Sequence, residues 1–143
     1  MKKLIIIAIN IVFITNISFS QEISKKNKLK AEKIAFFTNK IGLSPSEAQN
    51  FWPVYNEYWE LKNNIIKKRK KEMIYFSNNC SQLSEKEIEK YADNYISYEL
   101  KIAKLLNEYH LKFKKILPIK KVMKIYQADY EFKTYLLKQI KNK

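Results

Sequence analysis

An all-α fold of about four helices, forming a long, bent hairpin, is what this sequence predicts. Three observations carry the prediction. The 143-residue chain holds one glycine and three prolines, too few for the turns of a β-sandwich or a doubly wound α/β fold. Leu-Ser-x-x-Glu occurs at Leu43 and again at Leu83, and each copy reads as a capping box opening a helix. Three segments repeat apolar residues at alternating spacings of three and four, the period of a helix face.

Residues 1–20 read as a secretory signal peptide. Lys2 and Lys3 form a charged start, Leu4 to Ile14 an apolar stretch interrupted by Asn10, and Ser18-Phe19-Ser20 a cleavage site ahead of Gln21. The stretch is shorter than the roughly 20 apolar residues that span a bilayer. The expected location is therefore outside the cytoplasm, the alternative being an uncleaved signal anchor, with residues 21–143 as one helical domain. Residues 21–28 are polar and expected to fray. Ile34, Phe37 and Ile41 mark a short amphipathic helix over 29–41, stopped at Gly42.

Ser44 is placed to cap a second helix over 45–77, with Pro45 at its first position and Glu47 closing the box. Phe51, Val54, Tyr58, Leu61, Ile65, Met73 and Phe76 form its expected apolar face. Pro53 removes one backbone hydrogen bond and predicts a kink rather than a break. Ser84 and Glu87 repeat the start signal for a helix over 85–116. Its seam runs Ile88, Ala92, Tyr95, Glu99, Ile102, Leu106, Tyr109, Phe113, Ile116, a heptad-like stripe suited to packing on another long helix. Pro118 ends that helix and opens the last, over 119–141. The expected buried face there is Ile119, Val122, Met123, Tyr126, Tyr130, Leu137 and Ile140.

Composition narrows the chemistry. A single glycine excludes Gly-rich phosphate loops. His110 is the only histidine and Cys80 the only cysteine. No metal set, cofactor motif or catalytic triad can be drawn from them, so no enzyme, metal or cofactor is expected. Cys80 is expected to be a buried or merely tolerated thiol. Glu85, Glu87 and Glu89 lie in a first helical turn and complement its dipole. The formal net charge of +14 raises an anionic partner. Arg69, however, is the sole arginine among 28 basic residues. Bidentate phosphate and guanine readout favours arginine, which disfavours nucleic acid.

Ten tyrosines, eight phenylalanines and two tryptophans exceed what a small helical core hides, since each tyrosine hydroxyl wants a partner. Trp52 and Trp59 lie seven apart, followed by Lys67-Lys68-Arg69-Lys70-Lys71. Trp59 with Lys67, Lys68, Arg69, Lys70 and Lys71 is the candidate protein-binding surface. Its alternative reading is a core edge with a solvated charge run.

The segment Ile41-Gly42-Leu43-Ser44-Pro45-Ser46-Glu47-Ala48-Gln49-Asn50-Phe51-Trp52-Pro53-Val54-Tyr55-Asn56-Glu57-Tyr58 resembles the first motif region of the Spy/CpxP-type LTxxQ proteins. It is closer still to their Bacteroidetes relatives, often labelled sensors of ECF-type sigma factors. Residues 116–122 and 129–132 are similar to the second region of that group. Ser44 stands in place of the motif's threonine, Gln49 falls two residues late, and Pro118 occupies the second capping position. The resemblance implies an exported, non-enzymatic helical protein, with cradle-like homodimers that hold unfolded proteins without ATP or damp an envelope stress sensor. The expected partners are accordingly unfolded or partly folded envelope proteins, or the outer domain of one membrane signalling protein. A homodimer is expected also because thin, elongated helices carry more apolar surface than one layer covers.

Overall fold

The structure, a computed structural model, describes residues 27–141. The expected signal peptide at 1–20 and the polar start at 21–26 lie outside the described residues. All four expected helices are present, and no strand occurs among the described residues. They are α1 (27–41), α2 (Pro45–Asn79), α3 (Glu85–Ile116) and α4 (Ile119–Lys141), with a 3-10 turn, Cys80–Gln82, between α2 and α3.

Each boundary has a local cause. Gly42 takes φ 70° and donates its N–H to the Thr38 and Asn39 carbonyls at 3.1 and 3.2 Å. This left-handed cap closes α1, and it is a conformation that a side chain makes costly. At the start of α2 the Ser44 N–H donates to Glu47 Oε2 at 2.7 Å, and the Glu47 N–H donates to Ser44 Oγ at 3.3 Å. At the start of α3 the Glu87 carboxylate accepts from both the N–H and the hydroxyl of Ser84, at 2.8 and 2.7 Å. Pro118 caps α4 through its carbonyl, which accepts from Lys121 and Val122 at 2.8 and 3.1 Å. α2 runs through Pro53 without a break.

The chain forms two compact units. One spans Leu43–Met123; the other combines the described residues before Leu43 with those from Lys124 onward. In the first, α2 and α3 form a hairpin, antiparallel because its turn is short. Phe51, Tyr55, Tyr58, Tyr109 and Phe113 are buried at the end of the hairpin away from the turn. In the second, Phe37, Ile41, Ile125, Ala128 and Phe132 are buried. There the Phe36 and Phe37 rings lie 5.4 and 6.1 Å from Phe132. Lys40 pairs with Glu131 at 2.6 Å, which holds that carboxyl below its ordinary range.

Two expected faces need correction. On α3, Tyr109 and Phe113 are buried, but Ile88, Tyr95 and Leu106 are exposed. A strict seven-residue repeat drifts about 20° per heptad around an undistorted helix. A stripe aimed inward at Tyr109 is therefore turned well off the interface at Ile88, where Tyr91, Asn94 and Tyr98 face α2 instead. On α4 the buried positions are Val122, Ile125, Ala128 and Phe132, while Ile119, Met123, Tyr130 and Leu137 are 61–74% exposed. Ile140 lies outside the described side chains. α4 carries two apolar stripes, and packing selected the one with the small Ala128. Tyr55, absent from the expected face of α2, is buried, whereas Leu61 and Met73 are exposed.

Candidate protein-interaction surface

One capping residue, Glu47, also links two helices within the Leu43–Met123 unit. Glu47 Oε2 also accepts from Lys121 Nζ at 2.6 Å, tying the first turn of α2 to the first turn of α4. That bond, and then the Ser44 N–H, hold the Glu47 carboxyl below the ordinary glutamate range. The Glu87 carboxyl is lowered likewise by its two bonds from Ser84. Leu43 and Gln49, the other motif positions in this stretch, are half-buried and exposed respectively.

The aromatic cluster gives the hairpin its rigid end. The Phe113 ring lies 5.8–6.3 Å from the rings of Phe51, Tyr55, Tyr58 and Tyr109. Lys112 Nζ sits 4.0 Å from the Tyr109 ring centre and pairs with Glu108 at 3.1 Å. Burial pushes the Tyr109 hydroxyl upward, and Glu108 raises the Lys112 ammonium.

Nearer the turn, polar groups replace this cluster. Glu72 accepts from Asn94 Nδ2 at 3.0 Å and from the Tyr98 hydroxyl at 2.7 Å. The bond to Glu72 is the first cause of the Tyr98 hydroxyl titrating above its ordinary range. Arg69 pairs with Glu99 and lies 5.4 Å from the centre of the Tyr95 ring. Glu99, the break in the apolar stripe, is thus the counter-ion of the only arginine. Tyr75 and Phe76 lie 5.9 and 6.1 Å from Tyr91.

The residues of the candidate surface separate. Lys67, Lys68, Lys70 and Lys71 are exposed, Trp59 is half-buried, and Arg69 is turned toward α3. At about 100° per residue, Trp59 shares a face with Lys70 and stands opposite Lys68. Sequence proximity suggested one patch; helical geometry distributes it around α2. The reading missed a different exposed group, Ile96 and Leu100, each 57% exposed on α3. Their i,i+4 spacing was the available signal, hidden by the stronger stripe beside it.

Cys80 is exposed in the turn, which excludes a buried thiol and leaves the merely tolerated one. Among the described residues no group of three or more His, Cys, Asp or Glu side chains is placed to hold a metal. Among the same residues no helix is long and apolar enough to cross a membrane. Compared with protein-family models, curated proteins and solved structures, the chain matches none.

Proposed function

We propose that this chain is an exported, non-enzymatic helical protein that binds exposed segments of other envelope proteins without ATP. The observation that carries the reading is the apolar back of α3. Counting from Tyr98, which faces α2, Ile96 and Leu100 each point about 160° away. Both are more than half exposed. Burying such side chains against a partner returns about 25 cal/mol per Å², enough for reversible holding when few are engaged. The resemblance of residues 41–58 to the LTxxQ proteins supports the same reading, including periplasmic location and a homodimer.

The test is suppression of aggregation of a reduced client protein in the absence of ATP. The parent is expected to protect at near-stoichiometric ratios, and an Ile96→Ser/Leu100→Ser variant of unchanged helix content to protect less. Equal protection by that variant would remove α3 from the site. Recovery of one stoichiometric partner from envelope extract, in place of many clients, would replace the reading with an adaptor for a membrane signalling protein. A light-scattering mass of one chain at tens of micromolar would refute the homodimer.

A further inference from the structure

We propose that the outward arc of α2 between Lys67 and Tyr75 docks on an anionic phospholipid surface. The inference goes beyond client binding and needs a different face of the hairpin. Arg69 marks the inward direction, because it meets Glu99 and Tyr95 of α3. Measured from it at about 100° per residue, Lys67, Lys71 and Ile74 point away from α3. On the same count Lys68, Lys70 and Tyr75 fall on the flanks, Tyr75 with one side of its ring 5.9 Å from Tyr91 of α3 and half of its surface open. All four lysines are exposed, and none is in an ion pair with another described residue. Ile74 and Tyr75 are each 50% exposed.

The arc carries no opposing charge of its own. Between Asn63 and Asn79 the one carboxylate is Glu72, and it is turned inward onto Asn94 and Tyr98. The cation with directional, bidentate geometry is engaged by Glu99, so what remains outside is lysine alone. Lysine acts as a hydrated point charge on a long apolar stem. It suits attraction to a dense array of headgroup phosphates better than readout of one defined anion. Four lysines around one apolar and one tyrosine side chain form the pattern of a helix lying at a membrane interface. The lysines meet headgroups while Ile74 enters the acyl boundary and Tyr75 stays at the headgroup level. The back of one helix is convex, which fits a broad surface and offers no groove to an extended polypeptide.

The test is co-sedimentation of the full chain with vesicles of phosphatidylglycerol and phosphatidylcholine, and with phosphatidylcholine alone, at 50 and 300 mM salt. The N-terminal apolar run and the Lys2 and Lys3 before it are common to every variant, so the change between variants in the ratio of binding to the two vesicle types isolates the arc. The parent is expected to favour anionic vesicles by at least about tenfold at low salt, since each lysine near the surface contributes about a factor of five. Replacing Lys67, Lys68, Lys70 and Lys71 by Gln should bring the ratio close to one. Replacing the exposed Lys104, Lys114, Lys115 and Lys120 instead, at the same net charge, should leave most of it. Equal loss in the two quadruple variants would reduce the effect to net charge and overturn the site. So would a parent that binds polyglutamate but not anionic vesicles, which would assign the arc to acidic polypeptide. Because the assay contains no client, its failure leaves the holding activity of Ile96 and Leu100 to be judged by its own experiment.

Discussion

Replacing Phe113 by alanine removes a fully buried ring from contact with four other rings at centroid distances of 5.8–6.3 Å. All four of those rings, Phe51, Tyr55, Tyr58 and Tyr109, are themselves buried, so little surface is free to close the gap. A Phe-to-Ala change at such a site costs about 3–5 kcal/mol from lost transfer energy and the cavity left behind. That is a large share of the roughly 5–15 kcal/mol that holds a domain. The assay is urea unfolding followed by far-ultraviolet circular dichroism, where a loss of this size moves the midpoint by about 2 M at a typical slope. Leu106→Ala provides the contrast. Leu106 belongs to the same sequence stripe but is 37% exposed, so its loss should cost less than about 1 kcal/mol. Equal costs for the two variants would refute the assignment of the packing surface, as would a cost below about 1 kcal/mol for Phe113→Ala.

Gly42→Ala should destabilise by about 1–2 kcal/mol through backbone strain alone, because a Cβ built there meets nothing within 4 Å; an unchanged urea midpoint would remove the left-handed cap. Ser44→Ala should cost about 1 kcal/mol, with Ser44→Thr retaining most of the cap, as read by the same unfolding curves. The carboxyls of Glu47, Glu87 and Glu131 are all held below the ordinary glutamate value of 4.5. Their contribution is therefore complete above that value and is lost as pH falls through their depressed folded values. Stability measured from pH 6 to 3 should decline at the acid end, and a rise on acidification would contradict the three bonds. Tyr98→Phe removes the hydroxyl that donates to Glu72 and should cost about 0.5–1.5 kcal/mol, measured by urea unfolding, whereas Tyr130→Phe, at a residue 74% exposed, should cost almost nothing.

Helix number, order and boundaries were legible in the sequence because local chemistry sets them. Gly42, the Ser44–Glu47 and Ser84–Glu87 boxes and Pro118 act within one turn of their own positions, and no distant residue is needed to explain them. Phe37, Phe51, Tyr58, Tyr109 and Phe113 were legible as core for a related reason, since each lies on an apolar helical stripe and meets other large rings. Which stripe is buried along the rest of α3 and α4 was decided only by tertiary packing. α3 offers Ile88-Ala92-Tyr95 beside Tyr91-Asn94-Tyr98, and α4 offers Met123-Tyr126-Tyr130 beside Val122-Ile125-Ala128. Periodicity cannot rank two stripes that share one helix, and the larger side chains mislead. The inward direction on α3 is set where Glu72 meets Asn94 and Tyr98 and where Arg69 meets Glu99. These are contacts between residues more than 20 positions apart, formed only once the hairpin closes. The same closure turns Arg69 inward out of a run of five cations that looks uniform in sequence, and leaves the four lysines to solvent.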